Sequence, residues 1–259
     1  MRQTARRRCL IAWFAALCAG PALAALPSDT DPFQSLPWED MRREYLGGAK
    51  AVFDERVQVQ GPAFAEDPMN VPISLRVDPG LGPVSQIMVL VDRNPIRRVL
   101  EFFPMQAVPA LSFRFKLEQA SPVRVAARTA DGVWHVGGAW VESAGGGCTV
   151  SGATRKDGSW PQTLGEVSGR LFGGEASSTR LRMRVMHPMD TGLVGGIPAF
   201  FVNRLSVRDA AGTELARLQT YEPVSENPVF SFDFAKAPVG GVRVVGSDNN
   251  GNRIASRVE

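Results

Sequence analysis

The feature that most restricts how this chain can fold is a two-residue alternation of apolar side chains that recurs in many short segments. Successive side chains of a β-strand point to opposite faces, so the alternation is typical of strands with one buried face. Residues 87–91 are apolar throughout, which indicates a strand covered on both faces. Asp131-Gly132 predicts a hairpin turn between two of the strands. The alternating positions are Val71, Ile73, Leu75 and Val77; Leu111, Phe113, Phe115 and Leu117; Val123, Val125 and Ala127; and Leu181, Met183 and Val185.

The strand segments form two series, separated by a stretch rich in glycine, serine, threonine and charge. A chain of 259 residues, 44% hydrophobic and 21% charged, is large enough for two globular domains. About seven short strands in each series predict an all-β protein made of two immunoglobulin-like antiparallel β-sandwich domains. We expect the first domain at residues 30–147, a linker or arm at 148–162, and the second domain at 163–259.

One short N-terminal helix is predicted before the first strand. Trp38, Met41 and Tyr45 recur at helical spacing, acidic residues stand near the start, and Gly47 follows the end.

Residues 1–24 differ in kind from the rest of the chain and predict a cleaved secretory signal peptide. Four arginines precede a short apolar run, and Ala22-Leu23-Ala24 supplies the small residues of a cleavage site. The run is shorter than the roughly 20 residues that a membrane span needs. We therefore expect a periplasmic protein with no membrane span after cleavage.

The charge of the mature chain argues against a nucleic-acid-binding role. Without the four arginines of the signal, the 29 basic residues become 25, against 26 acidic ones. The mature chain therefore lacks the net positive charge that is typical of proteins that bind nucleic acid.

Cys148 would be the only cysteine of the mature chain, because Cys9 and Cys18 lie in the predicted signal. It follows Gly145, Gly146 and Gly147, a run whose conformational freedom predicts a flexible arm, and a thiol on such an arm can move between sites. A domain linker with an incidental, inert thiol fits the same composition.

A metal site is not expected. Cys148, His135 and His187 are the only soft ligands of the mature chain, and their spacings match no metal-binding pattern. No cofactor is predicted.

Several motifs resemble those of two sulfur-oxidation families. The first half is similar to SoxY in VDRNP at 91–95, TADG at 129–132 and the glycine-cysteine run at 141–148. The second half is similar to SoxZ in HPMDTG at 187–192 and GIPAFF at 196–201, supported by residues 224–232 and 248–251. The whole resembles fused SoxYZ-like carriers associated with quinoprotein dehydrogenases.

The resemblance implies a carrier that catalyses nothing itself. Cys148 would hold thiosulfate-type sulfur covalently while periplasmic sulfur-oxidising enzymes or a quinoprotein dehydrogenase system act on it. His187 and Met189, in the SoxZ-like motif, would contact a partner. One departure is that a second domain follows Cys148, whereas the family's arm is a free terminus; a segment fixed at both ends reaches less far.

Two other readings remain open from the sequence. In one, the protein is a non-covalent binding or assembly module for a periplasmic quinoprotein dehydrogenase, and Cys148 is dispensable. In the other, it is a structural sandwich with a buried, unreactive thiol.

Overall fold

The computed structural model describes residues 27–154, 158–173 and 178–259, so the predicted signal peptide lies outside the described residues. The elements are mostly strands, with two helices and a 3₁₀ turn at Pro79–Leu81. The helices are α1 (Trp38–Tyr45) and α2 (Trp160–Thr163). The strands are β1 (Ala51–Phe53), β2 (Val57–Gln60), β3 (Phe64–Ala65), β4 (Val71–Val77), β5 (Val84–Val91), β6 (Arg98–Phe103), β7 (Ala107–Phe115), β8 (Ser121–Thr129), β9 (Trp134–Ser143), β10 (Val167–Phe172), β11 (Thr179–Val185), β12 (Val202–Arg208), β13 (Glu214–Thr220), β14 (Val229–Phe234), β15 (Val242–Asp248) and β16 (Arg253–Val258).

Two sheets, each built from both halves of the chain, form the sandwich. One runs in the order β1-β9-β8-β5-β6-β13-β12-β15-β16, with β3 added beside β9; the other runs β10-β11-β14-β7-β4-β2. The all-β sandwich fold is confirmed.

The two halves are joined more closely than two separate sandwiches would be. β6 pairs with β13 and β7 with β14, both antiparallel, so each sheet crosses the boundary between the halves. The pairing satisfies edge strands that would otherwise expose unpaired backbone groups.

The space between the sheets holds one continuous apolar core. The alternating positions predicted from sequence line it, and residues from both halves belong to the same cluster. Phe102 of the first half and Phe232 of the second meet edge to face, with ring centroids 5.8 Å apart.

Helix α1 covers the outer face of the larger sheet. Trp38 and Met41 pack with Met88, Leu90 and Trp134 in a second apolar cluster. This cover explains the continuous apolar run in β5, because both faces of that strand are buried. The predicted helix is present at Trp38–Tyr45.

A buried arginine fixes the chain ahead of the helix. Arg124 of β8 is fully buried and pairs with Asp92 at 2.8 Å and with Asp31 at 2.8 Å. Its guanidinium carbon lies 4.5 Å from the centre of the Trp38 ring. The helix and residues 27–37 are thereby tied to the sheet.

Strand ends bring three segments to one edge of the sandwich. β7 ends at Phe115 and leads into residues 116–118, while β11 ends at Val185 and leads into residues 186–192. The segment after β9, residues 144–154, lies against both. No helix in the described ranges is long and apolar enough to cross a membrane.

Candidate functional site at Cys148

Cys148 lies buried where the two halves meet. Its Sγ is 3.6 Å from the carbonyl oxygen of Lys116 in the first half, and its own carbonyl accepts a hydrogen bond from Thr191 Oγ1 of the second half at 2.6 Å. The side chain has 0% exposure. The prediction of an exposed thiol on a mobile arm therefore needs correction: in this structure the thiol is held closed.

The glycines before Cys148 allow the backbone to pack closely against neighbouring residues, and they do not form a flexible arm in this structure. A Cβ on Gly147 would stand 2.2 Å from the carbonyl oxygen of Pro68 and 2.6 Å from that of Leu117, so no larger residue fits. Gly145 and Gly146 have φ angles of 95° and 85°, in the left-handed region that favours glycine. This is the physical reason why the predicted flexible arm, Gly145 to Gly147, is fixed here.

Residues 144–154, called the cysteine segment below, nevertheless lie outside both sheets and are only partly buried. They form no β-strand, and Thr149 and Val150, directly after the cysteine, are exposed. Cys148 thus belongs to a segment outside the sheets and not to a strand of the sandwich.

Glu118 provides the side-chain anchor for this segment. Its carboxylate accepts a hydrogen bond from the Cys148 N–H at 2.9 Å and another from Thr149 Oγ1 at 3.0 Å. Gly146 N–H also donates to the Glu118 carbonyl at 3.1 Å. Sequence reasoning missed Glu118, because an acidic residue just after a strand carries no distinctive signal.

Asn94, from the VDRNP motif, fixes the strand end that carries Glu118. Its Nδ2 donates to the Lys116 carbonyl at 2.8 Å, and its Oδ1 accepts from the Glu118 N–H at 2.8 Å. The motif thus has a local structural role in shaping the cysteine site.

The electrostatics keep the buried thiol protonated. Burial raises the pKa of Cys148 to about 12, and the negative charge of Glu118 adds to the rise, while Lys116 opposes it. Burial also lowers the pKa of Lys116, whose Nζ donates to the carbonyl of Met189. A thiol in this state is a poor nucleophile, because the thiolate is the attacking species.

His187 and Met189 lie beneath the surface on the second-half side of the site. Met189 N–H donates to His187 Nδ1 at 3.0 Å, and His187 packs on Phe200 with ring centroids 4.4 Å apart. Both side chains are buried, so the predicted direct contact with a partner does not fit this arrangement. They shape the turn that carries Thr191 to Cys148.

The remaining predicted chemistry-bearing residue lies elsewhere. His135 Nδ1 is 2.8 Å from Asp54 Oδ2 and does not join the cysteine site. Across the residues that can be described, no three metal-ligating side chains cluster. A groove of about 620 Å³ beside β2, lined by Phe33, Phe53 and Val57 among others, contains no residue of the cysteine segment.

Family models match both halves of the chain. The model described as "Sulfur oxidation protein SoxY" matches residues 42–148, and the one described as "Sulphur oxidation protein SoxZ" matches residues 174–259. The chain joins a SoxY domain to a SoxZ domain. The resemblance of the two halves to SoxY and SoxZ is therefore confirmed.

The SoxY match ends at Cys148 itself, and Thr191, which holds the Cys148 carbonyl, belongs to the SoxZ domain. Among solved structures, that of the sulfur carrier protein SoxY from Chlorobium limicola f thiosulfatophilum is similar at 17% identity with a TM-score of 0.37. It covers 40% of this chain and 90% of its own. No curated protein gave a match.

Proposed function

We propose that this protein is an exported, periplasmic carrier that holds thiosulfate-type sulfur covalently on Cys148 and catalyses nothing by itself. The family matches support a role in sulfur oxidation. The single observation that carries the covalent assignment is the position of Cys148. It is the last residue of the SoxY match and the free cysteine of the described chain, and it lies in a segment that belongs to neither sheet.

The structure is then the closed state of the carrier. Loading requires the cysteine segment to leave its site, because a fully buried thiol of raised pKa cannot meet a partner enzyme. The bonds to be broken are those from Cys148 and Thr149 to Glu118, that from Thr191, those of the glycine N–H groups, and those of Thr154 with Glu226 and Asn227. A bond between neutral groups contributes about 1 kcal/mol net, and a bond to a carboxylate about 1.5 kcal/mol.

Opening costs less free energy than unfolding the sandwich. The freed glycine-rich residues regain conformational entropy, which offsets part of the lost hydrogen bonding. Both sheets and the shared core stay intact, because no residue of the segment lies in a strand. Local opening of this kind is common in segments with few apolar contacts.

The loading step needs an electron acceptor. Joining the Cys148 sulfur to the terminal sulfur of thiosulfate forms one S–S bond, releases the thiol proton and removes two electrons. A partner oxidoreductase must therefore accept that electron pair. Sulfur-oxidising enzymes or a quinoprotein dehydrogenase system are the partners we propose for this role.

The test is intact-mass analysis of the mature protein after incubation with thiosulfate and its native partner enzymes. The expected result is a thiosulfonate-type adduct that maps to Cys148 and is lost in Cys148→Ser. Absence of any adduct in the wild-type protein, or an unchanged adduct in Cys148→Ser, would overturn the proposal.

A second candidate is a non-covalent assembly module for a quinoprotein dehydrogenase. The complete burial of the thiol and its raised pKa favour this reading. It predicts that Cys148→Ala leaves dehydrogenase activity and growth unchanged, whereas the carrier predicts loss of sulfur oxidation.

A further inference from the structure

The outer face of the six-stranded sheet is strongly basic. Outward positions of its strands hold six exposed arginines and a single carboxylate, that of Asp233. We call this surface the arginine face. The arginines are Arg76, Arg114, Arg170, Arg180, Arg182 and Arg184.

Positive charges stand directly opposite each other on this face. In the register of β10 and β11, Arg170 is the cross-strand partner of Arg182, and Arg184 lies two residues along the same strand. Like charges in such a pair are destabilising, because side chains directly opposite are only about 5 Å apart. No salt bridge joins these three arginines to a carboxylate in the part of the chain that is described. The Arg170 guanidinium lies 6.0 Å from the centre of the Phe172 ring, so the contact that the fold makes with this charge is to an aromatic ring and not to a carboxylate.

The single carboxylate of the face is paired with two of its arginines. Asp233 accepts two hydrogen bonds from Arg180, at 2.7 and 3.0 Å, and one from Arg76 at 3.0 Å. Arginine forks bind carboxylates in this two-pronged geometry. Hydroxyl groups of Ser112 and Ser231, in the next cross-strand row, add further hydrogen-bonding partners.

The larger sheet has a different charge pattern. It also carries arginines, including the cross-strand row Arg208, Arg243 and Arg257. Three arginines of this sheet have carboxylate partners, because Arg98, Arg217 and Arg257 pair with Glu101, Glu214 and Glu259. Basic charge is therefore present on both sheets, and the arginine face differs in having Asp233 as the single carboxylate at the outward positions of its described strands.

The arginine face adjoins the cysteine site. Arg114 and Arg184 stand near the ends of β7 and β11, the two strands that lead into Lys116 and into Thr191, which contact Cys148. A protein bound across this face would have its edge beside the cysteine segment.

We propose that the arginine face is a docking surface for a partner protein that presents a patch of carboxylates. The idea that this partner acts on Cys148 rests on the proposed carrier function. The docking proposal is independent of that function. A membrane surface fits less well, because Phe172 at the margin is the one large hydrophobic side chain exposed on the described part of the face, and insertion into lipid needs more apolar area.

The test uses a fluorescently labelled ten-residue glutamate peptide as the carboxylate probe, with binding followed by fluorescence anisotropy at low salt. Replacing Arg170, Arg182 and Arg184 together by glutamine should weaken binding about tenfold, since each exposed ion pair contributes modestly. The matched control replaces Arg204, Arg243 and Arg253, exposed arginines of the larger sheet, by glutamine. This control should change binding less than twofold.

Circular dichroism checks that both triple variants stay folded. Equal weakening in the two triple variants would overturn the proposal, and so would tighter binding to phosphatidylglycerol vesicles than to the peptide. Cys148→Ala should bind the probe as the wild-type protein does. If Cys148 forms no adduct while the probe still binds through the arginine face, the carrier function fails and the docking surface stands.

Discussion

Removing the Glu118 carboxylate should speed alkylation of Cys148 about a hundredfold. In Glu118→Ala, the closed cysteine segment loses the hydrogen bonds from the Cys148 N–H and from Thr149 Oγ1. A hydrogen bond to a charged group contributes about 1.5 kcal/mol at the lower end of its range, so the two together favour the closed state by about 3 kcal/mol. Every 1.4 kcal/mol is a factor of about ten in the open population.

The assay is the rate at which iodoacetamide modifies the native protein, measured by mass spectrometry at pH 7.5. Glu118→Gln keeps a hydrogen-bond acceptor but loses the negative charge, so its alkylation rate should lie between those of the wild-type protein and Glu118→Ala. Glu142→Ala is the matched control, because that exposed carboxylate accepts from Trp140 Nε1 and contacts no residue of the cysteine segment. A Glu118→Ala rate within threefold of the wild-type rate would refute the argument that Glu118 anchors the segment.

Three further perturbations test separate parts of the account. The pKa of the Cys148 thiol is raised from 9.0 to about 12 in the folded protein. Between these two pH values the unfolded chain loses the thiol proton and the folded chain keeps it, so the free energy of unfolding should fall by about 1.4 kcal/mol per pH unit. Urea unfolding from pH 8 to 10.5 should show this loss in the wild-type protein relative to Cys148→Ala, and parallel curves would contradict it. Gly147→Ala, whose Cβ would meet a carbonyl oxygen at 2.2 Å, should speed alkylation more than Gly146→Ala, where the Cβ has room and only the φ of 85° is strained; the reverse order would count against close packing. Arg124→Met leaves a fully buried aspartate without its partner and should lower the free energy of unfolding by about 3 to 5 kcal/mol, whereas exposed Arg128→Met on the same strand should change it by less than about 1 kcal/mol.

The sequence predicted the strands well because alternation reports directly on burial. Leu181, Met183 and Val185 alternate in the sequence and are all buried in β11. The pattern sets the face on which a side chain lies but does not say which strand comes next in the sheet. The pairing of β6 with β13 and of β7 with β14, which merges the two halves, could therefore not be derived from periodicity.

The sequence singled out Cys148, but it did not predict that the thiol is buried. A glycine run fits both a flexible tether and a backbone that must approach its neighbours closely, and composition cannot separate them. The deciding contacts of Gly147 are with Pro68 and Leu117, far away in sequence. Glu118 and Lys116 have their roles only through that same packing. The placement of Arg170 opposite Arg182 likewise depends on the register of β10 with β11, which the net charge of the chain does not reveal.

The central claim is that Cys148 leaves its buried site while the two sheets stay folded. The direct measurement is the rate of Cys148 alkylation as a function of urea concentration, with peptide mapping to confirm the modified residue. Local opening exposes little surface, so the account predicts a rate nearly independent of urea well below the unfolding midpoint. A rate that rises with the full urea dependence of global unfolding from the lowest concentrations would mean that the thiol is reached only when the sandwich unfolds, and would contradict the account.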